Sequence, residues 1–137
     1  MSNSEATNWS KRGIFGGDID PGSVEITKKN LSGLEYKNEE RIKVQDATKT
    51  NWPTGYFDAA VSNLPWGKQV EIASITNLYE GTLREYARIL KGDGVLCAII
   101  SRPDLFVKYA KMFFPNKKIS QYRVGLLGQT PTIILVS

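Results

Sequence analysis

Apolar and polar positions change period several times along the chain, and each change predicts an element. Gly13-Ile14-Phe15-Gly16-Gly17-Asp18 reads as a short strand closing on an acid, and Asp20-Pro21 then supplies a helix N-cap with proline at the first helical position. Val24, Ile26 or Thr27, and Leu31 give a short amphipathic helix that stops near Gly33. Arg41 to Asp46 alternates and again ends in an acid. Tyr56 to Asn63 is apolar on both faces through its second half, as in a buried parallel strand, and Pro65 forbids its continuation. Ile72, Ile75, Tyr79, Leu83, Tyr86 and Leu90 recur at steps of three and four, one face of a long helix, with Lys91-Gly92-Asp93-Gly94 as a basic last turn and glycine stop. Val95 to Ile100 is the most apolar strand. Ser101, with Asp104 three residues on and Pro103 in the first turn, opens a helix facing inward through Leu105, Phe106, Tyr109 and Phe113, which Pro115 ends. Two β-type segments, Ile119 to Leu127 and Thr130 to Val136, joined at Gly128-Gln129, close the chain as a hairpin.

This order describes a single α/β layered domain over residues 1–137, with a mainly parallel sheet and a C-terminal antiparallel hairpin. In such sheets ligands sit outside the carboxyl ends of the strands, where Asp18, Asp20, Asp46 and Asn63 fall.

Composition narrows the chemistry. The chain has 137 residues, 41% of them hydrophobic and 23% charged, which suits one folded domain and argues against disorder. It has no histidine and one cysteine, Cys97, so a histidine-based hydrolase, an intramolecular disulfide and a zinc site of these ligands are excluded, and no metal is expected. No apolar run approaches the roughly 20 residues that span a bilayer, and MSNSEATNWSKRG lacks the apolar core of a secretory signal. A soluble, cytoplasmic protein without membrane contact is the expectation. The 18 basic and 14 acidic side chains are unevenly placed: residues 101–137 carry Arg102, Lys108, Lys111, Lys117, Lys118 and Arg123 against Asp104 alone. That is the footprint of polyanion contact, although a solvated helix face would give the same count.

The strand-end acids suggest a nucleoside cradle. Asp18 can accept both hydroxyls of a ribose, and Asp46 can accept from an adenine amino group while the Ala47 amide donates to the ring. Each signal is weak alone, because acids at strand ends are commonly caps or turn residues, and Asp20 reads better as a cap than as a ligand. Ser62-Asn63-Leu64-Pro65-Trp66-Gly67 is more informative. An asparagine amide oxygen and a backbone carbonyl held by a rigid proline can accept both hydrogens of an exocyclic NH2 and aim the nitrogen lone pair at an electrophilic methyl group, with an aromatic face stacked on the base. The plainer alternative is a tight strand exit with a packing tryptophan.

Asn63-Leu64-Pro65-Trp66 resembles the Asn-Pro-Pro-Tyr type motif of class I S-adenosylmethionine-dependent methyltransferases that act on amino groups of bases. With leucine in second place and Gly67-Lys68 following, it is most similar to the THUMP-associated tRNA guanine-N2 enzymes of the RNA methylase family. Gly16-Gly17-Asp18-Ile19-Asp20-Pro21 resembles that family's ribose-binding strand end and Gln45-Asp46-Ala47 its adenine-binding turn; Leu78 to Gly94, Val124 to Leu127 and Pro131 to Val136 follow the pattern too. The resemblance runs from Glu5 to near the end of the chain. It implies a Rossmann-like sheet, S-adenosyl-L-methionine as cofactor held by Asp18, Ile19, Asp46, Ala47 and Asn63, catalysis at Asn63, Leu64, Pro65 and Trp66, and tRNA contact through Lys68, Arg102, Lys117 and Lys118.

One departure stands out: the family's first strand and glycine-rich loop should precede Glu5, and no such loop occurs there. Its loss implies two exposed strand edges, or direct pairing of their owners, and an edge that a partner chain or self-association would complete. Two other readings stay open: an adenine-N6 or protein-glutamine methyltransferase, and a non-catalytic module that keeps the fold to bind RNA or a partner.

Overall fold

The computed structural model describes residues 15–32, 41–65, 71–125 and 128–137. The chain divides into two compact units, residues 1–50 and 51–137.

In the first unit, strand β1 (Gly16–Asp18) runs parallel to β2 (Ile42–Val44), with Asp18 opposite Val44. Helix α1 (Pro21–Ser32) links them in sequence. It starts as its sequence dictates. The Asp20 carboxylate accepts from the Gly22 amide at 3.1 Å and the Ser23 hydroxyl at 2.9 Å, with Pro21 at the first helical position. Val24 and Ile42 are buried together, with Leu31 against them. Gly13, Ile14 and Gly33, which the sequence placed at element ends, lie outside the described residues.

In the second unit four strands stand in the order β3-β4-β6-β5. Strand β3 (Phe57–Asn63) is parallel to β4 (Leu90–Ile100), and β6 (Thr132–Val136) is antiparallel to both β4 and β5 (Ile119–Arg123). Helices α2 (Ile72–Ile89) and α3 (Pro103–Phe113) bury Ile75, Tyr79, Leu83, Phe106 and Ala110 against Leu96, Ala98, Ile100, Ile134 and Val136. The mixed α/β fold with parallel pairs and a C-terminal hairpin agrees with the sequence reading. The described strands thus form two sheets, β1-β2 in the first unit and β3-β4-β6-β5 in the second.

Four details differ from the expectation. Strand β3 is not buried on both faces: Val61 is 81% exposed and Ala59 is exposed, because β3 ends its sheet and α2 and α3 cover the face that carries Ala60. Helix α2 ends at Ile89, before the glycines. Leu90 already pairs with Phe57, and the register then slips so that Ala59 meets Val95; Lys91 to Gly94 form an irregular bulge. There a Cβ on Gly94 would stand 2.9 Å from the Lys91 carbonyl oxygen, which explains the glycine better than a helix stop does. Ser101 does not cap α3, since Arg102 holds the N-cap position without a side-chain cap bond; a residue two before Pro103 stands too far back to cap. The hairpin connection is also longer than two residues: Val124 N–H donates to the Pro131 carbonyl at 3.0 Å.

Candidate functional site

Asp18 ends β1 and is exposed. One of its carboxylate oxygens accepts from the Asp20 amide at 2.9 Å, and its carbonyl accepts from the Gln45 amide at 2.9 Å, which ties the two strand ends together. Asp46 lies just past β2. Its Oδ1 accepts from the Thr48 amide at 2.9 Å and from the Thr48 hydroxyl at 2.7 Å, and these bonds hold the carboxyl below the usual aspartate range. In both acids the bonds hold one carboxylate oxygen in a turn, and both residues are exposed. Strand spacing and rise put their Cα positions on the order of 8 Å apart, a nucleoside's span. Ile19, between the acids in sequence and 70% exposed, offers an apolar surface beside them; Ala47 is half-buried. By contrast Asp20 spends both oxygens on α1, and the Ser23 hydroxyl first, then the Gly22 amide, hold its carboxyl low. This set of groups fits the ribose and adenine of S-adenosylmethionine: two carboxyl acceptors at strand ends, with an apolar side chain following the first.

In the second unit Asn63 closes β3, opposite Ile99 of β4, and is exposed. The chain then turns. The Leu64 N–H donates to the Ile99 carbonyl at 3.0 Å and its side chain is buried, while Pro65 is exposed. The Leu64 carbonyl is thus anchored from both sides, by its own buried side chain and by the fixed ring of Pro65. Beneath the strand, Ser62 hydrogen-bonds to the Tyr86 hydroxyl, whose burial pushes its pKa up. Trp66, Gly67 and Lys68 lie outside the described residues.

Register sorts the basic tail. Arg123 pairs with Thr132, and Thr132 with Ile100, so Arg123 and Arg102 stand at the same sheet end as Asn63. Lys117 and Lys118 precede Ile119, whose row contains Val136 and Leu96, about 13 Å toward the opposite end. Lys117 is also engaged, its ammonium donating to the Gly94 carbonyl at 2.6 Å. Sequence reasoning grouped these charges and could not separate them, because register is a property of pairing. It also read Tyr79 as core only. The side chain is fully buried, yet its hydroxyl accepts from the Ser101 and Arg102 amides at 3.2 and 3.3 Å; nothing in a helical apolar stripe announces that bond.

Acids at the ends of a parallel strand pair in one unit, and an Asn-x-Pro turn at the end of a parallel strand in the other, are features of a class I methyltransferase fold. The chain belongs to the family UPF0020, RMKL-like methyltransferase domain, whose family model matches residues 2–131. Among solved structures it is similar to TrmN from Thermus thermophilus, with a TM-score of 0.73 at 20% identity over 96% of this chain and 39% of that one. SMU.1697c from Streptococcus mutans, solved in complex with SAH, gives 0.63 at 12% identity over 96% and 80%. The PH0226 protein from Pyrococcus horikoshii OT3 gives 0.61 at 13% identity over 90% and 70%. The chain thus spans well under half the length of TrmN. A search of curated proteins returns no match. Among the described residues no helix is long and apolar enough to cross a membrane.

Proposed function

We propose that this chain is the catalytic domain of an S-adenosylmethionine-dependent RNA methyltransferase that methylates an exocyclic amino group, with guanine N2 of tRNA as the target. Residues 1–137 serve as one methyltransferase domain; a family model that spans both compact units supports this. The observation that carries the reading is the Asn63-Leu64-Pro65 turn, where an exposed amide ends a parallel strand and the next carbonyl is anchored through Leu64 and Pro65.

S-adenosylmethionine supplies an electrophilic methyl group. The chain's own residues do the rest. Asp18 accepts from ribose hydroxyls, Asp46 from the adenine amino group, and Ile19 and Ala47 border the ring. Asn63 Oδ1 and the Leu64 carbonyl each accept one hydrogen of the target NH2, which turns the nitrogen lone pair toward the methyl group and stabilises the positive charge that develops on nitrogen. Trp66 stacks on the target base, and Lys68, Arg102 and Lys118 contact the RNA. TrmN as a structural neighbour supports tRNA as the substrate class.

The test is methyl transfer from labelled S-adenosylmethionine to bulk tRNA, followed by nucleoside analysis. Label in N2-methylguanosine is the expected result. Label in N6-methyladenosine would move the target to adenine, and no transfer with RNA binding retained would make the chain a binding module.

A further inference from the structure

A half-open cleft of about 200 Å³ lies in the second unit at the carboxyl end of β4, lined by Ile72, Arg102, Pro103, Asp104 and Leu105. Resting on the reading of this chain as an RNA methyltransferase domain, we propose that the cleft seats a second nucleotide of the substrate RNA, next to the one being methylated, with Arg102 on its phosphate.

Three observations converge. First, Ile72 belongs by its spacing to the inward face of α2 but is 59% exposed, so its apolar side chain lines the cleft instead of the core. With Pro103 and Leu105 it forms an apolar wall for a planar ring. Second, Arg102 makes no ion pair among the described residues, although Asp104 stands two positions on. Its planar guanidinium keeps its donors for a phosphate, which it suits better than lysine would. Asp104 repels that phosphate and accepts N–H groups from the base, so the two charges give a nucleotide one orientation. Third, the backbone under Arg102 is fixed. The buried Tyr79 hydroxyl accepts from both the Ser101 and Arg102 amides, and its ring meets Phe106 edge-on at 5.2 Å between centroids.

Size limits the occupant. A volume of about 200 Å³ falls below the roughly 300 Å³ at which pockets for drug-sized ligands begin, so it suits one ring and not a whole cofactor. Position fixes its relation to the target. Arg102 follows Ile99 by three residues, and Ile99 both pairs with Asn63 and accepts the Leu64 N–H.

The probe is guanosine 5′-monophosphate, added to the full chain while the methyl resonances of Ile72 and Leu105 are followed by NMR. Both should shift. Arg102→Ala should weaken that binding roughly 10- to 100-fold, the loss of a charged hydrogen-bond partner, and Lys111→Ala should leave it unchanged. Unmoved methyl signals, or binding indifferent to Arg102→Ala, overturn the proposal; inorganic phosphate reproducing the full shift reduces the cleft to an anion site and overturns it too. Methyl transfer reports separately. Intact transfer without these shifts removes the second nucleotide alone, whereas shifts without transfer remove the proposed activity and keep the nucleotide site.

Discussion

The Lys117 ammonium donates to the Gly94 carbonyl at 2.6 Å, bridging the turn after α3 to the bulge of β4. This bond divides two lysines that look equivalent in sequence. Lys117→Ala should lower stability by about 1 kcal/mol, the low end for a charged hydrogen bond that water partly screens, and leave the salt dependence of tRNA binding unchanged. Lys118 is exposed and should lower the slope of log K against log salt by about 0.7 to 0.9 when replaced with alanine. Thermal melts and binding at three salt concentrations check both.

Gly94 itself should resist substitution. A methyl group at 2.9 Å from the Lys91 carbonyl and 3.1 Å from the Leu90 Cβ meets backbone that cannot swing aside. Gly94→Ala is expected to cost about 1 to 3 kcal/mol in urea unfolding, as overpacking does, while Gly92→Ala, with open space at its Cβ, should cost little.

Asp18 and Asp20 are two residues apart and separable by experiment. Asp18→Ala should weaken S-adenosylhomocysteine binding by about 1.5 to 3 kcal/mol in titration calorimetry, because it removes a charged acceptor. Asp20→Ala removes the cap of α1 and should lower the melting temperature instead, with binding retained apart from that loss. Equal effects on binding would return Asp18 to a turn-forming role.

The Tyr86 phenol gives a pH signature. Burial raises its pKa in the folded state, so the folded chain holds the proton where the unfolded chain releases it. Its contribution is complete below about pH 10 and is lost as pH rises past the unfolded value. Tyr86→Phe should therefore flatten the fall in melting temperature above that pH. An unchanged alkaline limb would place its cause elsewhere.

How far the sequence carried depends on whether a property is local. The Asp20-Pro21 cap, the period of α2 and the proline exit after Asn63 are written within a few residues, and the structure places them where the pattern does. Ile72 and Val61 defeated the pattern. Each is apolar at the right spacing, but burial depends on which neighbour covers the face, and that is decided by the strand order β3-β4-β6-β5. The engagement of Lys117 and the Tyr79 hydroxyl bonds join residues about 22 positions apart, where composition and periodicity are silent. For the candidate site, the strand-end acids and the Asn63 turn were legible because they sit at strand ends; the cleft beside Arg102 was not, because it is made by two helix starts meeting.

Asn63 carries the sharpest expectation. Its amide oxygen is proposed to hold the target NH2 most strongly as charge develops on nitrogen, so its loss should be felt in turnover more than in RNA binding. Asn63→Ala should lower kcat by about 10²- to 10³-fold, the range for removing one preorganised polar partner of a transition state, and change the tRNA Kd little. Asn63→Asp tests the geometry separately. It keeps the acceptor and adds a negative charge, so a partial return of kcat would mark acceptance from the amino group as the essential role. If instead Asn63→Ala raised the RNA Kd in proportion to its loss of kcat/KM, the asparagine would be binding the ground state and the assignment to the transferring nitrogen would fall.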